Sequence, residues 1–147
     1  MGSDKFKAYA LVLIQALCIA LILLTGRPWA GRILLLLLQV GGVVLGIWAL
    51  AVMGLNNTNI SPLVRQEARL VTAGPYAFIR HPMYSAVLLC LWPLVVDHYS
   101  PLRLAAGLIL TVDLVVKLLY EESLLRKHFP GYEAYRQKTK RLIPFVL

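Results

Sequence analysis

Apolar residues run almost unbroken from Ala8 to Leu24, interrupted only by Tyr9, Gln15 and Cys18. They do so again from Ile33 to Leu55, with Gln39 and several glycines as the exceptions. Roughly 20 such residues, each rising ~1.5 Å in a helix, match a bilayer hydrocarbon core of ~30 Å, so both runs predict transmembrane helices. Lys5 and Lys7 precede the first run, but no Ala-x-Ala-like cleavage site follows it. Gly26-Arg27-Pro28-Trp29 reads instead as a tight turn with an interfacial tryptophan, and the segment is expected to stay in the mature protein. Two further runs follow, Met83 to Val96 with Trp92-Pro93 near its end, and Leu102 to Leu119 with Asp113 and Lys117 inside it. They predict a helical hairpin turning at Asp97-His98-Tyr99-Ser100-Pro101. Hydropathy alone leaves open whether its shorter arm crosses fully or dips in. Asp113 and Lys117 are four residues apart on one helix face, and a mutual ion pair is expected there. Gly42 and Gly46 form a small-xxx-small pattern that suits close helix packing.

The pattern predicts an all-α polytopic membrane protein of about four transmembrane helices. It forms a single membrane domain over 1–147, with two spans in 1–55 and a loop, the hairpin and a C-terminal tail in 56–147. Composition agrees, since 59% of the residues are hydrophobic and only 15% charged, too apolar for an ordinary soluble domain. Fifteen Lys and Arg against seven Asp and Glu give a net charge of +8, which would suggest nucleic acid in a soluble protein. Here the basic residues are explained by orientation. Lys5, Lys7, Arg65, Arg69, Arg80, Arg126, Lys127, Arg136, Lys138, Lys140 and Arg141 fall on one side, and Arg27, Arg32 and Arg103 on the other. The positive-inside rule then puts both termini and the central loop in the cytoplasm, and no nucleic-acid partner is expected. Cys18 and Cys90 lie in apolar runs with no disulfide framework or metal-ligand spacing, and no metal site is expected. The oligomeric state stays open.

Chemistry is confined to the two polar segments. The central loop carries Gly74-Pro75, a turn, and Arg80-His81-Pro82, with Pro82 suited to the first position of the third helix, where a missing N–H costs nothing. Arg80 and His81 thus stand before a helix N-terminus whose free N–H groups and partial positive charge favour a carboxylate or phosphate. The same pair is compatible with simple snorkelling to lipid headgroups. After the fourth run come Glu121-Glu122. Leu125, Phe129, Tyr132 and Tyr135 then follow at amphipathic helical spacing before Arg141-Leu142-Ile143-Pro144. Two carboxylates gain nothing at a helix C-terminus, unless the helix continues to Phe129 and Arg126 pairs with Glu122. Facing an Arg-His cluster, they suit a zwitterionic or cationic ligand. Tyr76, Tyr84, Tyr132 and Tyr135 also fit an interfacial belt. His98 and His128 read as solvated, and Asn56-Asn57-Thr58 and Asn59-Ile60-Ser61 as loop and capping residues.

The string LVTAGPYAFIRHPMYS, followed beyond an apolar hairpin by EESLLRKHFPGYEAYRQKTKRLIP, resembles the isoprenylcysteine carboxyl methyltransferase and phospholipid methyltransferase superfamily of integral membrane enzymes. The resemblance covers roughly Leu63 to Pro144, and the order and separation of the two blocks make it specific. It implies methyl transfer from S-adenosylmethionine, entering from the cytoplasm, to a lipophilic acceptor from the bilayer. On that resemblance the expected acceptor is an isoprenylcysteine-like carboxylate or a lipid amine, and the sequence does not choose its identity. The cofactor-binding block falls on Gly74, Pro75, Tyr76, Arg80, His81, Pro82 and Tyr84, the acidic pair on Glu121 and Glu122, and a closing tail on Tyr132, Tyr135, Arg141 and Pro144. Phe129-Pro130-Gly131-Tyr132 stands where many members have Phe-Gly-x-x-Tyr. The chain has no counterpart of the extra N-terminal helices of the eukaryotic enzymes, and the expected location is a bacterial or archaeal inner or plasma membrane.

Methyl transfer is an in-line displacement at a sulfonium carbon, so alignment and exclusion of water carry it further than a strong base does. On that reading His81 and the start of the third helix hold the carboxylate end of the cofactor, and Glu121 or Glu122 its amino group or hydroxyls. Arg80 or Arg141 orients an anionic acceptor, and His81 or a Glu serves as base for an amine. Arg80, Glu121, Glu122 and Arg141 are therefore the candidate catalytic residues. No GxGxxG follows a strand, so a Rossmann sheet is not the holder. The rival readings are an NADPH-dependent membrane reductase with a similar Arg-x-Pro-x-Tyr block and a non-catalytic membrane scaffold.

Overall fold

The computed structural model describes residues 2–54 and 69–143, with side chains from Phe6 onward. The two Asn triplets, Arg65, Pro144 and the side chain of Lys5 lie outside the described residues. Among those described there are five α-helices and one 3₁₀ turn (Gly74–Ala77) but no β-strand, only an isolated parallel bridge between Ile79 and Lys140.

Helices α1 (Gly2–Leu24) and α2 (Ile33–Met53) occupy the two long apolar runs, and both are long and apolar enough to cross a membrane. Leu13, Leu17, Val43, Val44 and Ile47 on them are exposed, as suits helices whose solvent is lipid. The hairpin is α3 (Pro82–Asp97) followed by α4 (Pro101–His128), each with its proline at the start. Ser100 caps α4 by accepting a hydrogen bond from the Arg103 amide at 3.2 Å. Helix α4 continues two turns beyond Leu119 because residues 120–127 are mostly good helix formers, and Pro130 stops it. Glu121 and Glu122 are therefore interior to a helix and not at its end. The single amphipathic continuation predicted from Leu125 to Tyr135 is broken at Phe129–Gly131, after which α5 (Tyr132–Lys138) begins.

Helix α2 packs on α3, α3 on α4, and α1 on α4 with a smaller contact to α3. The Gly42–Gly46 pattern serves the first of these. A Cβ on Gly42 would lie 2.9 Å from the Cys90 amide nitrogen and Sγ, and one on Gly46 would lie 3.4 Å from Ala86 Cβ. Gly42→Leu is expected to push α2 off α3 and lower stability by about 1–3 kcal/mol, while Gly41→Leu, with nothing within 4 Å, changes little. Melting curves of the two variants in detergent check this.

At the hairpin-turn end, Asp97 Oδ2 accepts the Gly31 amide at 2.6 Å. Buried Arg103 donates to Leu94 O at 2.9 Å and to Thr25 Oγ1 at 3.2 Å, tying the ends of α1, α3 and α4 together. Halfway along α4 the structure departs from expectation. Lys117 and Asp113 form no ion pair within 4 Å, and Lys117 Nζ instead donates to Gln15 Oε1 of α1 at 2.7 Å. This bond and the Thr25–Arg103 bond fix α1 antiparallel to α4.

Candidate active site

The C-terminal tail returns to the start of α3 as a short parallel partner. Arg80 N donates to Lys140 O at 2.7 Å, His81 N to Arg141 O at 3.0 Å, and Lys140 N to Phe78 O at 3.1 Å. Ser85, one turn into α3, extends the seam by donating to Leu142 O at 2.6 Å. These bonds, with those of Arg80 and Tyr84 to α4, bring residues 76–84, 121–122 and 132–142 together, although the first segment lies 37 or more residues before the others in the contacts it makes.

Their centre is Glu122, whose side chain is only 2% exposed. Its Oε1 accepts from Arg80 Nε at 2.7 Å and its Oε2 from Arg141 Nε at 3.3 Å. Burial opposes the charge, but the facing His81 and Arg80 outweigh it and hold the carboxyl down to about 2. The helix does run on past Glu122, but the Glu122–Arg126 pair that such a continuation would allow is not formed, and Arg126 is exposed. Arg80 Nη1 in turn donates to Arg136 O at 3.1 Å and to both the carbonyl and the hydroxyl of Thr139. Arg80 is thus the clasp between α4 and the tail, saturated by carbonyls and a carboxylate. Arg141 is the more open of the two arginines.

Glu121 sits differently. Its side chain is 29% exposed and accepts one hydrogen bond, from Tyr84 Oη at 2.8 Å. The imidazole of His81 is wedged between the two carboxylates, Nδ1 3.6 Å from Glu121 Oε2 and Nε2 3.6 Å from Glu122 Oε1, and it stacks on the Tyr84 ring at 5.4 Å. His81 Nε2, Tyr76 Oη and Tyr132 Oη are buried with no hydrogen-bond partner among the described residues. Burial, with the Glu121 charge second, pushes the Tyr76 hydroxyl well up; burial, with Glu122 second, does the same for Tyr132. Both stay protonated donors at any physiological pH.

Other predicted residues have supporting positions. Gly74 adopts a positive φ of 58°, and a Cβ there would lie 2.8 Å from Val52 Cγ2, so only glycine lets the turn lie against α2. Pro82 is buried at the first turn of α3. Tyr135 donates to Tyr76 O at 2.7 Å, and burial raises its own hydroxyl to about 12. Pro75 lines an apolar groove of about 830 Å³ between α2 and α3, together with Leu38, Trp48, Leu88, Trp92 and Leu142. Sequence reasoning missed Ser85 and Thr139. Ser85 had one signal, a hydroxyl at the base of an apolar run; Thr139 had none, because its carbonyl and hydroxyl meet Arg80 only once the tail has folded back.

Residues 29–131 match the phospholipid methyltransferase family, a range that takes in α2, the 3₁₀ turn, α3 and all of α4 with Arg80, His81, Glu121 and Glu122. The chain belongs to the phospholipid methyltransferase family. None of the curated proteins compared with it matches. Membership makes it a methyltransferase, and with two helices long and apolar enough to cross a bilayer, a membrane protein. Helix α1 and the tail from Tyr132 onward lie outside the range that defines this phospholipid methyltransferase match; the tail bonds the site directly through Arg141 and Glu122, and α1 bonds Lys117, one turn before Glu121 on α4.

Proposed function

We propose that the protein transfers a methyl group from S-adenosylmethionine to the amine headgroup of a lipid, at a cytoplasmic site where α3 begins and α4 leaves the membrane. The observation that carries this reading is the donor set around Glu121. A part-exposed carboxylate with one hydrogen bond belongs to the same cluster as two buried hydroxyls that have none, Tyr76 Oη and Tyr132 Oη. One acceptor of positive charge with two hydroxyl donors fits the zwitterionic amino-acid end of that cofactor.

S-adenosylmethionine supplies an electrophilic methyl group on a sulfonium. The chain's own residues then have defined work. Glu121 takes the ammonium of the amino-acid end, and the two tyrosine hydroxyls take its carboxylate. Arg80 and Glu122 hold the tail shut over the site and exclude water. His81 Nε2 takes the proton that an ammonium headgroup loses before it acts as a nucleophile, and Glu122 Oε1 stands 3.6 Å away to stabilise the imidazolium. Arg141, half-exposed at the rim, orients the lipid phosphate. The apolar groove between α2 and α3 reaches the Ile79–Leu142 seam and suits the hydrocarbon chain.

The reading includes four spans with both termini on the site's side. That end carries Arg69, Arg126, Lys127, Lys138 and Lys140, against Arg27, Arg32 and Arg103 at the other. Helix α3, with 16 residues and a length of about 24 Å, crosses by locally thinning the bilayer. Calorimetric titration of detergent-purified protein with S-adenosylmethionine and S-adenosylhomocysteine is expected to give one saturable site and a raised melting temperature. Absence of both heat and thermal shift at millimolar ligand, from a folded sample, overturns the reading.

A further inference from the structure

Lys117 is 2% exposed inside the helix bundle, and a carboxylate, Asp113, lies one turn away on the same face of α4. The least costly arrangement would pair the two. The structure does otherwise. Both oxygens of Asp113 are left without a hydrogen-bond partner among the described residues, while the ammonium donates to Gln15 Oε1 at 2.7 Å and lies 5.6 Å above the Tyr84 ring. Tyr84 is the residue that donates to Glu121, at 2.8 Å, and that stacks on His81, at 5.4 Å with the rings 3° from parallel. A chain of contacts therefore runs from α1 to the ligand-facing carboxylate: Gln15, Lys117, Tyr84, Glu121.

We propose that Gln15 and Lys117 are positioning residues for this site. The ammonium, fixed by α1, holds the Tyr84 ring by its face so that the phenol points at Glu121 and the ring braces His81. The geometry supports this over a simple staple between α1 and α4. Packing two helices needs no charge, whereas orienting a tyrosine ring from its electron-rich face calls for a cation. It also gives α1, which lies outside the family-matched residues, a part in ligand binding. The inference rests on the methyltransferase reading, since it uses Glu121 as the group that meets the cofactor.

The test is calorimetric binding of S-adenosylhomocysteine to the full chain in detergent, with melting temperatures measured beside it. Wild type is compared with Tyr84→Phe, Lys117→Met, Gln15→Met and the double variant Lys117→Met/Tyr84→Phe. Tyr84→Phe and Lys117→Met are each expected to weaken binding roughly tenfold, the effect of losing one charge-assisted hydrogen bond, and Gln15→Met roughly threefold. The double variant is expected to bind within about twofold of Tyr84→Phe alone, because both changes break one chain. A Lys117→Met protein that melts earlier but binds at full affinity, or a double variant whose losses multiply, shows a staple and overturns the proposal. If Lys117→Met does not fold, Gln15→Met decides, since it removes only the acceptor: unchanged affinity overturns the proposal and weakened affinity supports it. No binding by folded wild type overturns the methyltransferase reading and this inference with it.

Discussion

Replacing Glu122 by leucine is expected to cost about 3–5 kcal/mol of stability and to abolish turnover, because it leaves a buried charge without its partner. Arg80 is 7% exposed and Glu122 is the carboxylate it bonds, at 2.7 Å. With that carboxylate gone, the guanidinium keeps only the carbonyls of Arg136 and Thr139 and the Thr139 hydroxyl, and the tail loses its link to α4. The loss should concentrate at one end of the protein. Protease sensitivity after residue 128 should rise, while the α2–α3 contact at Gly42 is retained. Protonation gives a milder form of the same experiment. The folded carboxyl sits at about 2, below its unfolded value of 4.5, so its stabilisation is complete above about pH 4.5, declines as the pH falls below that, and is gone below about pH 2. Melting temperature against pH for wild type and Glu122→Leu should therefore converge in acid. Curves that stay parallel down to pH 2 would show that the Arg80–Glu122 pair does not hold the tail.

The features legible in the sequence were those set by a local rule. Runs of apolar residues gave the helices, Pro82 and Pro101 gave their starts, and Gly42 and Gly46 gave a packing face that the contact with Cys90 and Ala86 bears out. The candidate residues around Glu122 could be gathered only by resemblance, because no periodicity links Arg80 to Thr139. What joins them is a seam of backbone hydrogen bonds between residues 78–81 and 140–141, which leaves no mark on residue type. The Asp113–Lys117 pairing went wrong for a related reason. Spacing of four residues puts two side chains on one face, but Gln15, on a helix distant in sequence, offered Lys117 a better-placed oxygen. The division of labour between the two glutamates was equally invisible, since adjacent residues on a helix point about 100° apart and only packing decides which faces inward.

That division makes the second large prediction the more diagnostic one. Glu121→Gln should leave stability nearly unchanged and yet weaken S-adenosylhomocysteine binding by roughly a hundredfold, the effect of losing a charge partner for a bound ammonium. Unlike Glu122, Glu121 is part-exposed and holds no arginine. Its one hydrogen bond, from Tyr84, can be accepted equally by the glutamine carbonyl oxygen. Changing oxygen to NH₂ removes the negative charge and little else, so a drop in affinity without a drop in melting temperature isolates the electrostatic contribution. The comparison with Glu122→Leu matters because both variants lose activity. Only a pair in which one loses ligand affinity while folded, and the other loses the fold at its C-terminal end, matches a site whose two carboxylates do different work. If Glu121→Gln binds as wild type does, the ammonium is held elsewhere, and buried Glu122 becomes the carboxylate to test, since its longer contact of 3.3 Å to Arg141 can open without breaking the bond to Arg80.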